Sequence, residues 1–408
     1  MGVNVAVVGV TGAVGTEMLR VLERRDFPVD ELRPLASSRS AGKSVVFRGK
    51  EVQVQELTAD SFDGMNIGLF SAGGGISREF VPYAVEKNCV VVDNTSAFRM
   101  DEDVPLVVPE VNANRISEHN GIIANPNCST IQLVLVLKPI HDAVKIKRVI
   151  VSTYQAVSGA GYNALVELKK ETEHILSEKS GEFNRSIFPH QIAFNALPQL
   201  PQSDAFLPNG YTDEEMKMIN ETKKILEDSS FRITTTTVRV PVFRGHSESV
   251  NIETQGPLNA DQARNLLSKA EGVVVLDDPS KQLYPLAIDA AGKDDQQGGK
   301  HNFEQCAAAE LGNLLDVLCL GIVDGEAAEH GLAGAVFVDE TGQFVGFGQL
   351  LTGDAARIEA QCLHHLPMLL GAELAIVRGQ PGFTLAGACL PGAAQGIGEG
   401  GEGIDQVG

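Results

Sequence analysis

VNVAVVGVTGAVGTEMLRVLERR (residues 3–25) reads as a short apolar strand, a glycine turn and an amphipathic helix in immediate succession. Gly9, Gly12 and Gly15, with Thr11, Ala13 and Val14 between them, permit a tight turn and a close approach of a pyrophosphate to the helix N-terminus. The spacing is GxxGxxG rather than GxGxxG, and glycines also end strands for steric reasons alone. The placement between a first strand and a first helix is what points to dinucleotide binding.

The alternation continues. Buried-type strands are expected at 66–73, 89–94 and 121–125, with helices at 13–25 and 77–88, the pattern of a doubly wound parallel sheet. From residue 146 longer strands (147–158, 233–245, 248–254) are interrupted by helices at 162–178 and 213–227. The fold expected is α/β, a Rossmann-type dinucleotide-binding domain (1–127) followed by an α+β domain (128–293). Residues 296–408 differ, holding 22 of the 42 glycines, 14 acidic residues and 3 basic ones. The Gly-rich end is expected to be disordered, whereas 311–378 is apolar enough to fold.

With 408 residues, 43% of them hydrophobic, the chain is long enough for two or three domains. A net charge of -20 opposes nucleic acid as a partner. Neither a membrane-spanning apolar run nor a signal peptide is recognisable, so a cytoplasmic protein acting on a small molecule is expected. Six scattered cysteines without a CxxC pair suit reduced thiols. CLHH (362–365) is too local to close a metal site, and no metal is expected.

About 20 residues beyond the glycine turn, where NAD-binding chains place an acidic residue, the sequence is LASSRSAGK (35–43). Ser37, Ser38, Arg39, Ser40 and Lys43 offer hydroxyls and cations to a 2′-phosphate, which favours NADP; a solvated loop is the plain alternative. Cys128, in NPNCST (125–130), lies between a strand and an apolar helix, where the helix dipole and free N–H groups favour a thiolate. Cys89, opening a buried strand, reads as an inert core residue. His246, at a strand end beside a glycine, is the best of nine histidines for a base. Arg239, in an otherwise apolar strand, is costly to bury without an anion, which could be a ligand or a structural partner. Glu214 and Lys217, spaced i,i+3, share one helix face and could grip a zwitterion or simply pair.

Taken together and in this order, the glycine loop, SSRSAGK, NPNCST, TYQAVSGAG and VRVPVFRGHSESVNIE closely resemble the aspartate-β-semialdehyde dehydrogenase family in its bacterial form, from residue 2 to about 293. The resemblance implies NADPH-dependent reductive dephosphorylation of L-4-aspartyl phosphate to L-aspartate 4-semialdehyde, a step toward lysine (through diaminopimelate), threonine and methionine. It implies a homodimer formed through the second domain. By position in the motifs, Cys128 is similar to the nucleophile, His246 to the acid/base and Gln155 to the glutamine that orients substrate. Arg239 matches the carboxylate clamp and Glu214 the acid facing the amino group. Arg99 and Lys217 match phosphate-binding cations, Asn127 stands beside the nucleophile, and Gly159 joins the cofactor set.

One departure is large. The strand and helix that in this family follow GKD, and help line the nicotinamide pocket, are absent after Lys293. Residues 294–408 are therefore expected to be a replaced ending, which must cover the exposed sheet edge or leave the protein poorly stable. Two other readings compete: the related N-acetyl-glutamyl-phosphate reductase, which must admit an acylated amine that Glu214 does not suit, and a catalytically silent homologue.

Overall fold

β1 (Val3–Val8) runs through the middle of the first sheet, and Val5–Val8 are buried on both faces, as a central parallel strand requires. The computed structural model describes residues 2–177, 181–202 and 205–291, with the backbone of three later strands. By contacts the chain divides into Met1–Glu359 and Ala360–Gly408, and all that is described belongs to the first.

Gly9 ends β1 with a φ of +85° and starts the turn into α1 (Ala13–Arg24), which buries Met18, Leu19, Val21 and Leu22. β2 (Val29–Ala36) follows, then a hairpin of β3 (Ser44–Phe47) and β4 (Lys50–Gln53), then β5 (Gln55–Glu56). β6 (Ile67–Phe70), α2 (Gly74–Glu86), β7 (Val90–Asp93), the short α3 (Pro109–Asn112) and β8 (Ile122–Ala124) complete the unit. The sheet order β5-β2-β1-β6-β7-β8, parallel throughout, is doubly wound, with its switch point between β1 and β6. β2 escapes the alternation pattern because Asp30, Glu31 and Arg33 interrupt it, and Val29 at its start and Pro34, Leu35 and Ala36 at its end are the residues it buries.

α4 (Cys128–Val144) is buried along most of its length and packs against elements of the second sheet as well as against α3. Being covered on several sides, it is apolar nearly all round. β9 (Ile146–Gln155), α5 (Tyr162–Leu176), α6 (Asp213–Ile225), β10 (Arg232–Arg239), β11 (Ser247–Thr254), α7 (Ala260–Leu267) and the short α8 (Ala287–Ala290) follow. β9 pairs in parallel with β10 and antiparallel with β11, a mixed sheet.

The two long strands expected at 147–158 and 233–245 are shorter than the sequence suggests. β9 stops at Gln155 and β10 at Arg239, because Val157 and Ser158 donate instead to the carbonyls of Val242 and Phe243. This knot turns the chain back at Pro241, so His246 stands at the start of β11 and not at the end of β10. From the acidic stretch, β12 (Val317–Leu320) adds in parallel to Ser247–Val250, so that edge of β11 is paired. β13 (Leu332–Val338) and β14 (Phe344–Leu351) form a separate hairpin. The rest of 292–408, CLHH and the Gly-rich end included, lies outside the described residues.

Candidate active site

Cys128 is the first residue of α4 and half-buried. Asn127 caps that helix: its Oδ1 accepts from the Ser129 and Thr130 N–H groups at 3.0 and 3.3 Å. The amide so fixed points Nδ2 at Glu214, whose Oε1 accepts at 2.9 Å and also takes Gln155 Nε2 at 3.3 Å. Glu214 is presented by α6, whose own start is a capping box between Thr212 and Glu215. Glu215 further accepts the Thr237 N–H at 2.9 Å, which pins this helix end to β10. The sequence feature behind Glu214 is thus its neighbour.

Gln155 and Arg239 are register partners at the ends of β9 and β10. Both are buried, and Arg239 Nη1 donates to the Ala156 carbonyl at 2.7 Å. The N–H of the same Ala156 donates to His246 Nδ1 at 3.0 Å. One peptide residue therefore aligns both side chains. In the neutral ring the hydrogen then sits on Nε2. Burial, with the nearby Arg239 charge, pushes His246 down to about 3, so the ring is neutral near pH 7. Gly159 lies against this pair: a Cβ there would meet Arg239 Nη1 at 2.9 Å and His246 Nε2 at 3.3 Å.

Arg99, buried, donates from Nε to the Asn125 carbonyl at 2.8 Å and from Nη2 to the Asn94 carbonyl at 3.0 Å. Its Nη1 donates to Glu221 Oε1 at 3.0 Å. Lys217 lies at the rim, 2.6 Å from Asp213 and 3.7 Å from Glu214. Hydrogen bonds thus link Arg99, Asn127, Gln155 and Glu214 around the residue preceding Cys128, and Ala156, next to Gln155, carries Arg239 and His246. Glu221 was missed from sequence, although it stands at i+7 from Glu214 on the same helix face. Cys89, by contrast, is buried, and desolvation pushes its thiol up to about 12, as suits an inert core residue.

The residues expected to bind a nucleotide lie on the first sheet, at the carboxyl ends of parallel strands. Gly12 caps α1 without a side-chain bond, and Thr11, Gly12 and Ala13 are exposed, which leaves the helix N–H groups open to an anion. At Gly15 a Cβ would strike the Gly9 carbonyl at 2.3 Å, so only glycine lets α1 close on β1. Val14 is half-buried behind the turn. Ser37, Ser38 and Arg39 are exposed just past β2, with Ser40 closing their turn on the Ser37 carbonyl. A second glycine turn went unnoticed: Gly73, φ +96°, leads into α2 beside β1 at the switch point. These features fit a dinucleotide. Among the described residues no group of three or more His, Cys, Asp or Glu is placed to hold a metal, and no helix is long and apolar enough to cross a membrane.

The comparisons agree with this geometry. Residues 4–119 match the family described as semialdehyde dehydrogenase, NAD binding domain, and 137–299 its dimerisation domain. The chain is 55% identical over 302 residues to the aspartate-semialdehyde dehydrogenase of Bacillus subtilis, covering 72% of this chain and 86% of that one. The Legionella pneumophila enzyme is 55% identical over 295 residues, 72% and 84% of the two chains. Among solved structures, aspartate semialdehyde dehydrogenase II of Vibrio cholerae complexed with ASA superposes with a TM-score of 0.67 at 48% identity, over 72% of this chain and 86% of that one.

Proposed function

The chain belongs to the aspartate-semialdehyde dehydrogenase family and is an oxidoreductase, and we propose that it converts L-4-aspartyl phosphate to L-aspartate 4-semialdehyde with NADPH through a thioester on Cys128. The observation that carries this reading is the hydrogen-bonded set around the N-terminus of α4: Asn127, which precedes Cys128, bonded to Glu214 and through it to Gln155, with Arg239 and His246 on Ala156.

The helix N-terminus favours the thiolate, which attacks the acyl carbon. The carbon–oxygen bond to phosphate breaks, and Arg99 and Lys217 hold the departing anion. Arg239 grips the substrate carboxylate through its planar fork, and Glu214 meets the free ammonium, which an acylated amine would not provide. Negative charge grows on the carbonyl oxygen during attack and again during reduction. His246, neutral with its hydrogen on Nε2, donates to that oxygen, so its hydrogen bond acts before any proton transfer. The cofactor, when bound, supplies the hydride. Gly9–Gly15 would hold its pyrophosphate, Ser37–Ser40 its 2′-phosphate, and Gly159 leaves room beside Arg239 and His246 where the reacting groups meet. Collapse of the resulting alkoxide returns the thiolate and releases the aldehyde.

In this reading residues 1–127 bind cofactor and 128–293 carry catalysis and homodimer contacts, in a cytoplasmic enzyme on the route to lysine, threonine and methionine. The exposed aromatics Tyr162, Phe194 and Phe206 on the second domain support a second copy as partner. The test is Cys128→Ala. Turnover of aspartate semialdehyde, phosphate and NADP+ should fall by more than roughly a thousandfold, while NADPH fluorescence titration stays unchanged. Retention of a tenth of the rate would end the covalent reading.

A further inference from the structure

The face of α6 that bears Glu214 and Lys217 continues to Glu221, which is 1% exposed. Its Oε1 accepts from Arg99 Nη1 at 3.0 Å, and its Oε2 accepts the backbone N–H of Asn127 at 2.6 Å. One carboxylate thus joins the arginine assigned to phosphate with the residue that caps the nucleophile's helix. Arg99 has five N–H groups, and its bonds to Glu221, Asn94 and Asn125 use three in fixed directions, one of them on each Nη. One hydrogen on each Nη remains to face an oxyanion. From these contacts we propose that Glu221 is a positioning residue, which sets the plane of Arg99 relative to Cys128 so that phosphate lies in line with the sulfur.

The chemistry of the side chain matters here. A carboxylate accepts from both donors at once. An amide has a single acceptor, and its NH2 would confront either Arg99 or the Asn127 N–H. Burial pushes the Glu221 carboxyl up, with Glu214 adding to that; Arg99 and the Asn127 N–H pull it down without cancelling the rise. The pair is therefore held at a desolvation cost, which a hydrophobic pair filling the same space would avoid.

This inference rests on the thioester reading, since phosphate in the site belongs to it. The experiment follows NADP+ reduction by aspartate semialdehyde and inorganic phosphate in Glu221→Gln. We expect kcat/KM for phosphate to fall about tenfold or more while the KM for semialdehyde moves less than about twofold. In an Arg99→Gln background the same change should alter the phosphate term by less than about twofold, because Glu221 acts through Arg99. Tighter phosphate use in Glu221→Gln would make the carboxylate a mere counter-charge, and an unchanged or additive response would make it plain scaffolding; either result overturns the proposal. Should Glu221→Gln fail to fold by circular dichroism, Glu221→Asp, which keeps the charge one methylene short of its partners, is held to the same criteria. A second readout needs no turnover: phosphate should protect Cys128 from iodoacetamide in the unmodified protein, and at least about tenfold more should be needed in the variant. Equal protection in both sinks the link. Absence of phosphate-dependent reduction in the unmodified protein would instead sink the thioester reading.

Discussion

Gly159 has no side chain at the point where Arg239 Nη1 and His246 Nε2 converge, and an added Cβ would stand 2.9 Å from the first. Since that nitrogen is itself bonded to the Ala156 carbonyl at 2.7 Å, it can retreat only by giving up the bond. Gly159→Ala should therefore raise the KM for aspartate semialdehyde by roughly tenfold with little change in thermal midpoint; steady-state kinetics beside a melting curve would show it, and unchanged kinetics would mean that Arg239 does not hold substrate. In the proposed reading Arg39 sets the preference for NADPH. It is exposed beyond β2 with no acidic residue in 35–43, and a charge-assisted bond to a 2′-phosphate is worth ~1.5–3 kcal/mol. Arg39→Ala should narrow the ratio of kcat/KM for NADPH over NADH by at least about tenfold. Equal use of both cofactors by the unmodified protein would remove the argument.

At the scale of elements, α5 organises the approach to Arg239. Glu167 Oε2 accepts the N–H groups of Ser186 and Ile187 at 2.7 and 2.9 Å, and Oε1 accepts that of Phe188 at 3.0 Å. One turn later Glu171 accepts those of Ile192 and Ala193, both at 2.9 Å. The loop so held leads to Leu197, which exchanges both backbone bonds with Arg239 at 2.8 and 2.9 Å. Burial alone would raise the Glu167 carboxyl, but the bonds from Phe188, Ser186 and Ile187 outweigh it and hold the group below its usual range. That contribution to stability is present above the ordinary carboxylate range and is lost as pH falls through the lowered value. Glu167→Gln should cost ~1.5–3 kcal/mol, seen as a lower urea midpoint at neutral pH. The loss should shrink as pH falls through the lowered value, below which the carboxyl is protonated in both states; a loss independent of pH would mean that the charge is immaterial.

For the whole molecule, two buried histidines add to its sensitivity to acid. His246 is pushed down to about 3 by burial and the Arg239 charge, and His141 is lowered by burial and by Lys145. His246 is neutral when folded and takes up a proton on unfolding below about pH 6.5, and the lowering of His141 acts in the same direction. Their stabilisation is thus complete above that pH and declines below it, by roughly 1.4 kcal/mol per pH unit for His246 alone. Denaturant midpoints measured between pH 7 and 5 should fall, and His246→Gln should flatten the slope. A slope untouched by that change would contradict a neutral buried ring. Local signals in the chain sufficed for the parallel sheet, the glycine turn and the place of Cys128 at a helix start, because strand periodicity, a glycine spacing and a helix start are written in neighbouring residues. The candidate site residues were named from their motifs and from the family resemblance, and their roles belong to the proposed function. Glu221 was not legible in the sequence, nor was the Ala156 pivot, nor the cover that 317–320 lays on β11. Each depends on which groups meet across 30 or more residues of chain, and hydrogen bonding and burial between such distant segments are decided only when the tertiary fold brings them together.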